Sequence, residues 1–385
     1  MFNVQSSKLN SYAYYRLPRA NSFLRLVQQN GAPLRIRSLE ALNGRQGFVI
    51  APFAITDDCP LLLMQPDIVE EVAIDLSPAQ SMFNGQSSSQ KASHPSPTYH
   101  IDFSNFHAHL ETGEFRKLVL ARCDNLKADH PVEPEQLFLR ACQLYPRQFI
   151  ALVSSPACGT WLMATPEILL ENNGTQWKTI ALAGTMQLQD EQLAFDNPPQ
   201  PVGTRADEQA HIAWSIKNIQ EQRYVATYMV ETLEHFSSDI SEEGPYTARA
   251  GHLVHLRSDF NFTLPTNHRL GSLLNALHPT PAVCGLPKRE AFRFICGNEF
   301  APRRYYSGFM GPLRMKLPGK DSAAEATHLY VSLRCMEIQP GNYQLHAGGG
   351  LLRDSVEQQE WDETEAKMET MRNLIHYRCI ATKKT

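Results

Sequence analysis

Apolar positions along this 385-residue chain fall into short compact runs and longer stretches with a helical repeat. Residues 1–76 mix helical and strand signals, and within them GFVIAPF and PLLLMQPD predict short buried strands. Residues 77–98, SPAQSMFNGQSSSQKASHPSPT, are rich in Ser, Pro and Gln and cannot bury a core, which predicts a mobile surface loop or linker. Beyond it, YHIDFSNFHAHLETG predicts a helix, KLVLAR a compact strand and VEPEQLFLRACQLYP an amphipathic helix. FIALVSS, GTWLMAT, EILLENN and WKTIALAGT follow as closely spaced strands, with CG and NNG as turns. A long helix is expected from about Asp207 to Phe236.

The last third repeats the mixture. LVHLRSDFNFTL reads as a strand, and LGSLLNALH and KREAFRFICGNE read as helices. YYSGFMGPLRMK, ATHLYVSLRCMEI and YQLHAGGGLL read as strands, the last two joined by a PGN turn, before a closing helix at SVEQQEWDETEAKMETMRNLI, residues 355–375. Clustered hairpins beside long helices assign the chain to the α/β class in its α+β form, with antiparallel sheets, not to a doubly wound parallel fold.

Composition narrows the function classes. A hydrophobic share of 42% and a charged share of 20% are ordinary for a globular protein. A net charge of −4 gives no basic face for nucleic acid. No apolar run approaches membrane-spanning length, and MFNVQSSKLNSYAYYRLPR lacks the apolar segment of a signal peptide. The eight cysteines have neither CxxC nor zinc spacing and sit mostly in apolar contexts. They read as buried free thiols of a protein in a reducing, cytoplasmic home. No GxGxxG or GxxxxGK[ST] motif supports nucleotide binding.

Several side chains could carry chemistry. In the closing helix Glu360, Glu363 and Lys367 recur at i, i+3 and i+7 and share a face. Just before it, Gly348, Gly349 and Gly350 let the backbone approach a ligand. The long helix offers Lys217 and Glu221 one turn apart. If the two helices meet, their carboxylates need a cation, and Mg²⁺ takes one or two carboxylates plus water and substrate. A solvated face with intrahelical ion pairs explains either helix alone equally well.

Lys117 at the edge of KLVLAR is either a snorkelling strand end or a partly desolvated base. Glu167 follows a proline at a strand mouth, as a turn carboxylate or an acid. A base and an acid on separate strands suit addition of water with loss of hydroxide. HPTPAVCGLPK, residues 278–288, can hold His278 rigidly, although a lone histidine is usually structural. Arg334, among apolar neighbours in SLRCME, calls for an anionic partner such as a substrate carboxylate.

KLVLAR, ATPEILL, LAGT, KNIQEQ, HPTPAVCGLPK, RRYYSGFMG, SLRC, AGGG and EWDETEAK occur in an order that resembles the chorismate-utilising enzymes, over about residues 99–376. The resemblance implies two antiparallel sheets in a central sandwich flanked by helices. It divides the chain into 1–98, a variable N-terminal part of the same domain with a Ser/Pro-rich loop at about 77–98, then 99–378, the catalytic region, and a tail, 379–385. Lysine at position 117 is similar to isochorismate and salicylate synthases, where it activates water, and Ala183 in LAGT excludes the nucleophilic lysine of aminodeoxychorismate synthases. YYSGFMGP resembles the menaquinone-pathway type.

The resemblance implies an isochorismate synthase. Lys117 would deprotonate the water that attacks C2 of chorismate, and Glu167 would protonate the departing C4 hydroxyl. Glu221 and Glu363 would ligate Mg²⁺, with Glu360 in the outer shell. Arg334, Gly348, Gly349, Gly350 and Lys367 would clamp the enolpyruvyl carboxylate, and Thr185 and His278 would line the ring pocket. Two motifs depart from the family pattern: KNIQEQ places Asn218 and Gln222 where an acid and a histidine are usual, and AGGG replaces AGAG. The alternatives are a salicylate synthase, which goes on to eliminate pyruvate, and a non-catalytic chorismate-binding subunit. The expected partner is chorismate alone, bound by a monomer or homodimer, without nucleic acid or membrane.

Overall fold

The computed structural model describes residues 11–74, 94–128, 131–188, 212–264, 269–316 and 325–375. Two nine-stranded sheets dominate it. In spatial order the first contains Gly285–Leu286, Lys117–Lys127, Asn342–Leu351, Cys335–Gln339, Gly159–Thr165, Phe149–Ser155, Ser11–Arg16, Ser22–Gln28 and Ile68–Ala73. The second contains Ile240–Ala250, Leu253–Thr263, Gln176–Gln187, Ile168–Asn173, His328–Val331, Phe309–Leu313, Gly47–Ala51, Leu61–Met64 and Leu34–Ile36. Neighbouring strands run antiparallel in both sheets, as the clustered hairpins predict. Among the described residues six α-helices flank them: α1 (Pro97–Glu111), α2 (Pro134–Leu144), α3 (Ile216–Leu233), α4 (Leu270–Leu277), α5 (Lys288–Asn298) and α6 (Glu357–Ile375).

The apolar runs are continuous because many strands are covered on both faces. In Phe149–Ser155, Phe149, Ala151 and Val153 enter the core between the sheets, while Ile150 and Leu152 enter a second core shared with α2 and α6. The Phe149 and Tyr330 rings stack 4.2 Å apart between strands of different sheets. α3 and α4 cover the second sheet through a third core of Val225, Met229, Leu233, Leu273 and Leu277.

Several expectations shift. Residues 11–74 hold strands and one short 3-10 turn, Leu39–Leu42, with no α-helix, and their strands pair into both sheets. Of the expected 77–98 loop, 77–93 lie outside the described residues and Pro97 already opens α1 behind the Ser96 cap. α3 starts at Ile216, not Asp207: Ser215 accepts from the Asn218 N–H and caps it, residues 212–215 are not helical, and 207–211 lie outside the described residues. Strand Ile240–Ala250 escaped notice because Gly244 and Pro245 interrupt its pattern, where the register also slips.

The largest correction concerns ATHLYVSLRCMEI. It is not one strand: His328–Val331 lies in the second sheet, Cys335–Gln339 in the first, and the chain crosses between sheets at Ser332, Leu333 and Arg334. Arg334 takes a left-handed backbone, φ 43°. Beside it Gly159–Thr165 passes from the first sheet to Ile168–Asn173 in the second through Pro166 and Glu167. The two crossings are joined by Val331 N–H donating to Glu167 O at 2.9 Å and Ala164 N–H to Arg334 O at 3.1 Å.

Candidate active site

The two crossings, strands near the edge of the first sheet, the Gln176–Gln187 strand of the second and side chains from α3 and α6 enclose one cavity. Glu167, Ala183, Gly184, Thr185, Glu221, His255, Val283, Tyr306, Arg334, Gly348, Gly350 and Lys367 are among its lining residues. It adjoins at Thr185 a second hollow lined by Lys217, Asn218, Glu360, Asp362 and Glu363. The sequence candidates on α3, on α6 and at the crossings therefore share one neighbourhood.

Backbone geometry explains the glycines. The Gln176–Gln187 strand shifts register between Ala183 and Thr185, and Gly184 there has φ +74°, a region that strains any other residue. A methyl on Gly184 would also lie 3.1 Å from Asn218, so this glycine lets the first turn of α3 settle on the strand. A methyl on Gly350 would lie 1.9 Å from Glu221 Oε1 and 3.1 Å from Lys117 Cε. The close approach expected of the triplet is thus first an approach to the site's own charged side chains. Gly348 would meet the Tyr306 hydroxyl at 2.8 Å, and Gly349 would meet Glu360 Oε2 at 3.1 Å.

Lysines and carboxylates are interleaved. Lys117, fully buried beneath the cavity floor and not among its lining residues, lies 3.0 Å from Glu221 Oε1. Lys217 pairs with Glu360, and Lys367 lies 2.6 Å from Glu363 while donating to Gly348 O at 2.8 Å. Burial would raise the Glu221 carboxyl, but Lys117 and Lys217 outweigh it and hold it below its ordinary value. Glu360 goes the other way: burial, reinforced by the charge of Glu363, pushes it up to about 7 despite Lys217. Burial opposes the charge of Lys217, yet the negative charges of Glu360, Glu221 and Glu363 together raise it.

That concentration of negative charge bears on metal binding. Among the described residues no three acidic, histidine or cysteine side chains are set around one point as a ready cage. A hard cation that takes one or two carboxylates and keeps its waters needs no such cage. Glu360 Oε2 is buried without a hydrogen-bond partner, and carboxylate oxygens are the donors a hard cation takes, so the chemistry of Glu221, Glu363 and Glu360 fits a divalent ion of the Mg²⁺ kind.

Glu167 and Arg334, at the two crossings, form another part of the wall. Glu167 is 2% exposed, and burial pushes its carboxyl up to about 7 although Lys117 and Arg334 pull it down. Thr280 Oγ1 donates to Glu167 Oε1 at 3.4 Å. Arg334 is buried, its Nη2 meets His255 Nε2, and its Nε and Nη1 have no hydrogen-bond partner. Burial draws its guanidinium down to about 10. Two free donors on a buried guanidinium make an anion receptor.

His278, expected to line the ring pocket, is not among the lining residues: its Nε2 sits 3.1 Å from Pro52 O, its ring meets Phe309 edge-on, and burial keeps it neutral, at about 3. The same loop contributes Ala282 and Val283 instead. Sequence reasoning passed over His255 and Tyr306. His255 Nδ1 lies 3.1 Å from Gly184 O and 3.3 Å from Thr185 Oγ1, and its burial beside Arg334 holds it well below the usual histidine value. A single histidine inside an apolar strand gives no signal of that kind. The departures in KNIQEQ are absorbed locally: Asn218 Nδ2 donates to Thr185 O at 3.4 Å and Gln222 Nε2 to Ser258 Oγ at 2.9 Å.

A cavity with a carboxyl poised to donate a proton, buried lysines and an arginine with open donors belongs to an enzyme that performs acid–base chemistry on a small carboxylated molecule. A family model for chorismate-binding enzymes matches residues 44–376, and the chain belongs to that family. Isochorismate synthase DhbC of Bacillus subtilis is 30% identical over 309 residues, 75% of this chain and 72% of that protein. Isochorismate synthase MenF of Escherichia coli is 28% identical over 268 residues, 69% of this chain but 57% of that protein. The structure of MenF, the menaquinone-specific isochorismate synthase from Escherichia coli, superposes with a TM-score of 0.73 at 21% identity, covering 96% of this chain and 90% of that one. Anthranilate synthase component I from Streptococcus pneumoniae shares the fold at a TM-score of 0.63 and 16% identity, covering 96% and 94%. The family match begins at residue 44, well upstream of the region that the motifs alone delimit.

Proposed function

We propose that the protein is an isochorismate synthase that isomerises chorismate with Mg²⁺ as cofactor. Water adds at C2, the two ring double bonds each move over by one bond, and the C4 hydroxyl leaves. Lys117 takes the proton of the incoming water. Glu167 gives its proton to the departing hydroxyl, which leaves as water, so one water enters and one departs. Arg334 and Lys367, with the backbone at Gly348 to Gly350, bind the enolpyruvyl carboxylate, while Thr185 borders the ring. Glu221 and Glu363 would hold Mg²⁺, with Glu360 behind them, and the ion when bound supplies positive charge for the ring carboxylate.

The observation that carries this reading is Glu167: a 2%-exposed carboxyl pushed up to about 7, in the cavity that Lys117 underlies, still holds a proton to donate near neutral pH. Purified protein given chorismate and Mg²⁺ should yield isochorismate, resolved chromatographically, and Lys117→Ala should lose turnover. Salicylate accumulating above the spontaneous background would replace this reading with a salicylate synthase. Unchanged turnover in Lys117→Ala would remove the assigned base.

The pathway we propose is menaquinone biosynthesis, on the resemblance of YYSGFMGP to that type. A salicylate biosynthesis isochorismate synthase of Pseudomonas aeruginosa is also 30% identical, over 273 residues. Deletion of the gene followed by quinone analysis separates menaquinone supply from siderophore supply. The proposed location is the cytoplasm: Cys59, Cys142, Cys158, Cys284 and Cys335 are buried free thiols, and no described helix is long and apolar enough to cross a membrane.

A further inference from the structure

The strand Lys117–Lys127 pairs along one edge with Asn342–Leu351, but along the other only with Gly285–Leu286, opposite Leu118 and Lys117. Past Leu118 that second edge would leave backbone groups unpaired inside the protein. Two side chains take the place of the missing strand. Ala121 N–H donates to Glu299 Oε1 at 2.6 Å, and Val119 O accepts from Arg303 Nη2 at 2.7 Å. Val119 N–H donates to Cys284 O at 2.7 Å, and Arg303 Nη1 donates to Val283 O at 2.6 Å. Arg303 is joined to Glu299 through Nε at 2.6 Å and Nη2 at 2.7 Å, and its guanidinium lies 4.3 Å from the centre of the Phe53 ring. The two side chains are 2% and 4% exposed.

Neither residue is among those lining the cavity, but the two carbonyls that Arg303 holds belong to Val119 and Val283, which are. Val119 lies two residues from Lys117, and Val283 belongs to the loop that also supplies Thr280 to Glu167. We propose that Arg303 and Glu299 are positioning residues for the reaction: acting as a side-chain substitute for an edge strand, they lock the strand of Lys117 to loop 279–284 and so fix the base relative to the acid. This rests on the reading of Lys117 and Glu167 as base and acid. A planar fork that satisfies two carbonyls and a carboxylate at once is a task for arginine, and lysine cannot reproduce it.

Arg303→Lys tests it, because the ammonium keeps a countercharge for buried Glu299 while giving up the bridge between the carbonyls. Amide exchange at Val119 and Ala121 should quicken by about tenfold or more, with Ala13 in a distant strand unchanged. With chorismate, kcat should fall by about 10- to 100-fold while KM stays within about threefold, since geometry is lost and binding charge is not. Faster exchange at all three amides together, or kcat per folded molecule within about twofold of native, would overturn the proposal. Should Arg303→Lys fail to fold, Glu299→Gln is read by the same two measurements. If the native protein does not turn over chorismate, the assigned activity falls, and the exchange pattern at Val119 and Ala121 still decides whether this pair holds the wall.

Discussion

A carboxyl that titrates near 7 is half protonated where an ordinary one is fully ionised, and this gives Glu167 two separable signatures. Burial lifts it to about 7 from 4.5. The folded state therefore holds a proton that the unfolded state has released between those values. Its contribution to stability is whole below pH 4.5, declines as pH rises through about 7, and amounts to about 3 kcal/mol across that window. Glu167→Gln should remove this slope, leaving the parallel one from Glu360, so that the variant melts above the native protein at pH 8 and not at pH 4. The same variant should lose turnover, whereas native kcat/KM should fall as pH rises past about 7 and the acid loses its proton. A melting difference independent of pH would contradict the assignment.

Glycines give the second contrast between single residues. A methyl on Gly308 would lie 1.9 Å from the backbone oxygen of Ala51, whereas a methyl on Gly350 would lie 1.9 Å from the end of the Glu221 side chain. Backbone cannot yield cheaply, but a carboxylate can turn away. Gly308→Ala is expected to cost about 3 kcal/mol of stability in urea unfolding. Gly350→Ala is expected to cost about as much, because Glu221 leaves the buried Lys117 without its partner, and in addition to lower kcat by about 100-fold. AGGG was legible as a glycine motif and YYSGFMG only as a strand and a point of resemblance, and the different duties of their glycines were not, since nothing in a sequence says whether a glycine faces a carbonyl or a carboxylate.

Elements place these residues, and the sequence shows them where periodicity, a compact apolar run or a turn suffices. The three-residue spacing of Glu360 and Glu363 on α6 and the apolar run after Lys117 both survived into the structure. The sheet crossings did not show, because ATHLYVSLRCMEI stays apolar on both sides of the point where it changes sheets. Hydrophobic pattern records burial and is blind to which sheet does the burying. Arg334 and Glu167 both stand at such points, where the ladder is broken and a side chain can turn into a cavity instead of a core.

α6 is pinned to the strand of Lys117 by Arg122, whose guanidinium lies 3.7 Å from the Trp361 ring centre, whose Nε donates to Thr364 Oγ1 at 2.7 Å and whose Nη2 pairs with Glu365. Glu365 has a second partner in Arg372, at 2.7 Å, so loss of Arg122 leaves no carboxylate wholly unpaired. Arg122→Ala should therefore cost about 2–3 kcal/mol in urea unfolding, less than an unpaired buried charge would. Because Glu360 and Glu363 ride on α6, the same change should raise the Mg²⁺ concentration needed for half-maximal turnover. Unaltered Mg²⁺ dependence would mean that α6 is held by its apolar face alone.

At the scale of the whole molecule the site belongs to neither sheet. The first supplies Lys117, the glycine triplet and the seat of α6, and the second supplies Thr185, His255 and the seat of α3. Cores on both outer faces and between the sheets make this frame independent of anything bound in the cleft. The carboxylates of α3 and α6 also have lysine partners of their own: Glu221 with Lys117, Glu360 with Lys217 and Glu363 with Lys367. Acidic clusters that depend on a cation to fold would lack such partners, since like charges left together repel. Removal of divalent ions with EDTA should accordingly abolish turnover while lowering the melting temperature by no more than the linkage of a weakly held ion allows, and added Mg²⁺ should restore the rate. Glu363→Gln should behave as permanently stripped protein, inactive at any Mg²⁺ concentration yet folded, because it removes one member of a crowded acidic group and leaves Lys367 its bond to Gly348 O. Gross unfolding of Glu363→Gln, or of the stripped native chain, would show instead that the cation holds the two helices together, and that the lysines do not.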